Sequence, residues 1–289
     1  MWILYATLGS FFKALTSFFR KKISSKIDGD VYLWSTLLIT TVVLFPFIIL
    51  TNSEIPTMLS QYWLQLFIGA AATSSALIFN IAALKREELS YIAPLGAFIP
   101  IFALLFGWLF LGEQPPLFGV VGIILVFIGV YITNTNAQTT GWLGPIEHAI
   151  TNTGARFAMG VAIAFAINIT SLKSVTNGGF SAFEIMFMIS IIGLLLTSYV
   201  PIKKLVKLKT VAKHHKKLLI YVSFASLIGA TFALLAVKDT YVSYAISVRR
   251  LDIIFSILLG WRILKESNIR NKLIGSSLML GGIVIIALA

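Results

Sequence analysis

The chain has 289 residues, 58% of them hydrophobic and only 12% charged, with a net charge of +12 and no cysteine. A soluble domain carries roughly twice that charged share, so most of this polypeptide is read as lying inside a bilayer. Disulfides, thiolate metal sites and a cysteine nucleophile are excluded, and the basic excess is taken as loop charge rather than as a sign of nucleic acid.

A hydrocarbon layer about 30 Å thick takes roughly 20 apolar residues per helix. Apolar runs between polar breaks predict ten helices, near 2–20, 31–50, 62–83, 90–111, 117–135, 155–173, 180–200, 217–237, 241–263 and 270–288. The first has no basic leader and reads as a retained helix rather than a cleaved signal; Lys13 within it either snorkels to the basic face or lines a cavity. Asn80 at the end of helix three and Asn168 in helix six either bond across helices or bond substrate. Tyr91 and Tyr244 line a pathway or belong to an interfacial aromatic belt. Pro94 and Pro100 bend helix four, and Pro115 and Pro116 open helix five, where a missing N–H costs nothing. The run PIKKLVKLKTVAKHHKK between helices seven and eight is a topology anchor at lipid headgroups. Its His214 and His215 have no companions to complete a metal site, so neither metal nor cofactor is expected.

Helix nine holds the strongest functional signal. In SVRRLDIIFSILLGW, residues 247–261, Arg249, Arg250 and Asp252 interrupt an apolar run. Arg249 falls about 12 Å along the helix, near mid-membrane. A charge at that depth costs about 2.5–3.5 kcal/mol, so it should face the bundle interior or a wet cavity. Arg249 and Asp252, three residues apart, form a pair on one helical face or contact substrate directly. Arg250 points about 100° away, and an anionic substrate supplies its counter-charge through bidentate hydrogen bonds; Glu184, early in helix seven, is the competing partner.

Residues 85–131 and 238–284 align without a gap at a shift of 153, matching Ser90-Tyr91 to Ser243-Tyr244, Gly107-Trp108 to Gly260-Trp261, Glu113 to Glu266, Gly122 to Gly275 and Gly129 to Gly282. The same shift lays 1–136 over 154–289 and leaves 137–153 as a linker. Five helices per copy is odd, so the second copy enters the membrane from the opposite face: the expected fold is an all-α integral membrane protein of ten transmembrane helices in two inverted five-helix repeats, a transporter architecture. Loops 1–2, 3–4, 5–6, 7–8 and 9–10 with their flanks carry 18 of the 23 Lys and Arg, against Lys173 and Lys238 on the other face. The basic loops are therefore expected in the cytoplasm of a cell membrane and both termini outside.

The hairpins LGEQPPLFGVVGIILVFIGVYI and LKESNIRNKLIGSSLMLGGIVII each place an acidic residue after an apolar helix, then a short turn and a helix with glycines seven apart. In this the chain resembles the EamA domain of the drug/metabolite transporter superfamily, and two such domains match its ten-helix type. The resemblance implies a secondary carrier of small organic molecules with a cavity lined from both halves. Better-known ten-helix members are described with cytoplasmic termini, the reverse of the charge pattern here. Glu113 and Glu266, at the hairpins, read as structural.

The expected function is secondary transport of a small organic metabolite by alternating access, leaning to an anionic or carboxylate-bearing substrate. Substrate-contact candidates are Lys13, Asn80, Tyr91, Asn168, Tyr244, Arg249, Arg250 and Asp252; Asp252 or Glu184 would carry a coupling proton or sodium ion. There is no nucleotide-binding loop GxxxxGK[ST] and no cluster of carboxylates or histidines for an enzyme. A lipid-linked sugar flippase of the same superfamily and a non-transporting membrane scaffold are the rival readings.

Overall fold

The computed structural model describes residues 1–24, 27–51, 53–84, 86, 93–134, 143–264 and 269–289, which are helical with no strand among them. In chain order the helices are α1 (Trp2–Ser24), α2 (Gly29–Leu50), α3 (Ile55–Leu84), a 3-10 turn (Pro94–Ala97) that runs into α4 (Phe98–Leu111), and α5 (Leu117–Asn134). There follow α6 (Gly144–Thr151), α7 (Thr153–Asn177), α8 (Ala182–Leu196), the short α9 (Tyr199–Lys203) and α10 (Leu205–His214), then α11 (Lys216–Lys238), α12 (Val242–Val248), α13 (Leu251–Leu264) and α14 (Ile269–Leu288).

Six of the described stretches are long and apolar enough to cross a membrane: Gly29–Leu50, Ile55–Asn80, Pro94–Leu111, Leu117–Asn134, Thr153–Asn177 and Lys216–Lys238. Large apolar side chains such as Val42, Phe110 and Leu117 point outward on these helices, as lipid rather than water requires. Of the ten predicted spans, helix one, with Lys13 and Arg20, and helices seven, nine and ten fall outside the six, seven and ten being present as the shorter apolar helices Ala182–Leu196 and Lys272–Leu288. The sequence predicts one continuous ninth helix, whereas the structure divides it at Arg249 and Arg250. There the N–H groups of Arg250, Asp252 and Ile253 donate to carbonyls three residues back instead of four, a tightened turn. The linker and the basic 7–8 loop also carry short helices, α6 and α10, that apolar runs alone do not mark.

Helix boundaries recur 153 residues apart. α1 ends at Ser24 and α7 at Asn177; α2 begins at Gly29 and α8 at Ala182; α4 spans 98–111 and α13 spans 251–264. Even the irregularities correspond: the kink at Tyr62 (φ −127°) inside α3 falls at the position of His215 (φ −125°), where α10 meets α11.

Packing runs across the middle of the chain. The most extensive helix pairs are α5 with α14, α3 with α7 and α1 with α11, and the last two exchange under the 153-residue shift. Between α5 and α14 the backbones touch: a Cβ on Gly129 would sit 2.6 Å from the Gly275 carbonyl oxygen, and one on Gly122 would sit 2.8 Å from that of Gly282. Because Gly122 meets Gly282 while Gly129 meets Gly275, the two helices run antiparallel with their glycines in register.

One face is tied together by charge. Lys204 Nζ lies 2.5 Å from Asp30 Oδ2, and Lys207 Nζ 2.7 Å from Asp28 Oδ2, which brings the α1–α2 loop and the start of α10 to the same side. The hydrogen bond from Lys207 holds the Asp28 carboxyl below the ordinary aspartate range, and the hydrogen bond to Asp30 raises the Lys204 ammonium.

Candidate functional site

A central cavity of about 360 Å³ lies between the two halves. Its walls come from α1, α2, α3, α7, α8 and α11, with Ile99 of α4, Ile246 of α12 and the turn between α12 and α13. Lys13, Arg249 and Arg250 line it, and Arg20, Ser17 and Tyr32 line its end at the face that carries the Lys204 and Lys207 clamp. The Arg20 guanidinium sits 5.6 Å from the centre of the Tyr32 ring, within cation–π range. No carboxylate lines the cavity among the described residues.

The tightened turn explains how two adjacent arginines reach one cavity. Arg250 is 7% exposed, and the Nε atoms of Arg249 and Arg250 are buried without a hydrogen-bond partner among the described residues. An unbonded guanidinium nitrogen in a low-dielectric wall is costly unless a ligand or water meets it. Ser10 Oγ, in α1, is 3.4 Å from the Val248 carbonyl and fastens α1 to this turn.

Asp252 takes a different partner from the one its spacing predicts. Its Oδ2 lies 2.7 Å from Lys13 Nζ, an ion pair that joins α1 to α13. The partner comes from a neighbouring helix packed on the turn, which periodicity along one helix does not show. Lys13 therefore does not snorkel away: it pairs with Asp252 while facing the cavity.

Asn80 and Asn168 both line the cavity. Asn168 Nδ2 also donates to the Gly69 carbonyl at 2.9 Å and to Thr73 Oγ1 at 2.8 Å, so it bonds α7 to α3. Thr36, Thr40 and Thr73 join the polar lining, although nothing in the sequence distinguishes them from other threonines that bond back to their own helices. Tyr91 lies outside the described residues.

Tyr244 and Glu184 sit elsewhere. Tyr244 is 3% exposed, packed on Gly119 and Trp2, and opens toward a separate shallow depression at the opposite face. Glu184 closes a capping box at the start of α8, accepting from Ser181 N–H and Oγ, and its other oxygen accepts from Glu54 N–H. Its carboxylate is thus held at a helix end and does not reach Arg250 or the cavity.

The shallow depression contains a second ion pair. Glu113 of the first half and Lys173 of the second, each 9% exposed, are in direct contact. Lys173 also donates to the Thr240 carbonyl, and Val242 N–H donates to Glu113 Oε2 at 2.8 Å. Local structure aims the carboxylate there: Gly112 takes the left-handed conformation (φ 67°) that ends α4, and Glu113 N–H returns to the Gly107 carbonyl. A Cβ at position 107 would lie 2.7 Å from Glu113 Oε2, so glycine makes room for the charge.

Comparison with known proteins agrees with this architecture. A solved crystal structure superposes with a TM-score of 0.71 at 15% identity, covering 98% of this chain and 96% of its own, which establishes the shared fold. An uncharacterized transporter in the cobO 3'region of Sinorhizobium sp is 30% identical over 139 residues, or 45% of this chain and 94% of that protein. The model of the EamA-like transporter family matches twice, over residues 1–135 and 152–288. This multi-pass membrane chain belongs to the EamA-like transporter family.

Proposed function

We propose that the protein is a secondary carrier of small organic anions, working by alternating access between two inverted five-helix repeats, residues 1–136 and 154–289. The observation that carries the substrate reading is the cavity wall, where Lys13, Arg249 and Arg250 converge with no lining carboxylate among the described residues. Cations so placed offer a carboxylate or phosphate the bidentate hydrogen bonds that a guanidinium makes best. The repeat reading draws support from helix boundaries 153 residues apart and from helix pairs that exchange under that shift. Asp252, held by Lys13, is the carboxylate best placed to couple transport to a proton or sodium ion.

Thermal unfolding of purified protein against anionic, neutral and cationic metabolites tests this, with wild type and Arg250→Ala in parallel. A ligand at 100 times its Kd stabilises the folded state by about 2.7 kcal/mol. Anions should raise the wild-type midpoint and leave the variant unmoved, and the same compounds should then exchange across proteoliposomes. Stabilisation by cations alone, or an equal response in the variant, removes the arginine site from the mechanism.

A further inference from the structure

We infer that Glu113 and Lys173 are the latch that closes the transport path at the face opposite Arg20 and Tyr32, and that the pair separates once in each cycle. This rests on the alternating-access reading above but assigns a role to residues outside the cavity. Three observations carry it. First, the pair joins the two halves, Glu113 from the hairpin after α4 and Lys173 from α7. Second, it is buried at the opposite end of the bundle from Arg20 and Tyr32, in a depression that shares no lining residue with the cavity. Third, its remaining bonds go to the Thr240 carbonyl and the Val242 N–H, at the start of the helix that leads to Arg249 and Arg250. A change at the cavity arginines is therefore linked to the latch through the two turns of α12.

The chemistry suits a closure that must reopen. Burial strips both ions of water, which offsets much of their attraction; when the halves part, water rehydrates both ions and returns that cost. An apolar plug has no such compensation, since opening it only exposes hydrocarbon. The repeat adds a positional argument: Lys173 lies 153 residues from Arg20, and Arg20 lines the cavity at the other face, so one position of each half sets a cation at each end of the path.

The test exploits a chain without cysteine. Ala230, half-buried in the wall of the cavity, is replaced as Ala230→Cys, and labelling by a membrane-impermeant maleimide is timed from each side of oriented vesicles. The latch predicts that with Glu113 and Lys173 intact the cysteine reacts mainly from the clamp face. Adding Glu113→Gln or Lys173→Met should raise the rate from the other face on the order of tenfold, while Glu113→Asp, which keeps the charge, should stay near the parent. Variants are compared only where they elute as a single folded species, and Glu113→Gln retains an acceptor for Val242 N–H to favour this. Unchanged far-face labelling in Glu113→Gln and Lys173→Met overturns the latch even if anion transport is established. Equal labelling from both faces in the parent overturns the latch as the closure of the resting state.

Discussion

Lys13 and Asp252 illustrate how closely structure and function share residues in this site. Their contact joins two helices, yet Lys13 also faces the cavity, so its charge is divided between the fold and whatever enters. Removing one partner of a buried pair typically costs 3–5 kcal/mol because the other is left uncompensated. Asp252 has 12% side-chain exposure and Lys13 has 29%, which places Lys13→Met near the lower end, at about 3 kcal/mol. Adding Asp252→Asn should recover most of that loss in a thermal or denaturant midpoint, since no stranded carboxylate then remains. A double variant no more stable than Lys13→Met would show that the pair contributes little to the fold. At this scale the sequence marks Arg249, Arg250 and Asp252 as costly charges in an apolar run and leaves Lys13 between snorkelling and cavity lining; the structure brings all four to one place. The sequence conceals who pairs with whom, because Asp252 finds Lys13 across a helix interface and Glu113 finds Lys173 across 60 residues of chain.

Among the elements, α5 and α14 show how glycine spacing becomes contact. Neighbouring glycines in α14 differ sharply: a Cβ on Gly282 would meet the Gly122 carbonyl at 2.6 Å, whereas one on Gly281 would meet nothing within 4 Å. Gly282→Ala should therefore destabilise by about 1–3 kcal/mol through overpacking against backbone. Gly281→Ala should be neutral or stabilise by up to about 1 kcal/mol, as alanine does inside a helix. Paired thermal unfolding curves check the contrast, and equal midpoints would mean the helices part without cost. The sevenfold spacing of these glycines is plain in the sequence, as are the apolar spans that carry them. The division of helix nine is not, because no proline or glycine marks positions 249 and 250. The signal lay in the other half, where the 3-10 turn Pro94–Ala97 occupies the positions equivalent to 247–250.

For the whole molecule, the asymmetry of charge makes a claim about orientation that the fold alone does not address. If the clamp face of Asp28, Asp30, Lys204 and Lys207 is cytoplasmic, as the positive-inside rule requires, then Lys209→Cys reacts with an impermeant maleimide only after the membrane is permeabilised. Asp239→Cys, near the latch, reacts from outside in intact cells. The reverse pattern would place both termini in the cytoplasm and invert the direction of the proposed cycle. Bilayer insertion, the helical class and the duplicated sequence are all readable from the chain because each leaves a long-range pattern. The cavity is less so, since its threonine lining is chemically indistinguishable in sequence from threonines that merely cap their own turns.

The pairing of α1 with α11, α3 with α7 and α5 with α14 also bears on how the protein is made. Contacts between those partners span from 81 residues, as for Phe79 and Gly160, to 220, as for Gly9 and Gly229, and contacts that distant close late and slowly. During synthesis the helices of the first half precede their partners, so the faces that meet the second half are at first uncovered. Their docking waits until α7, α11 and α14 arrive. On the proposed inverted-repeat topology, the complement for those faces in an isolated first half would be another copy inserted the opposite way up.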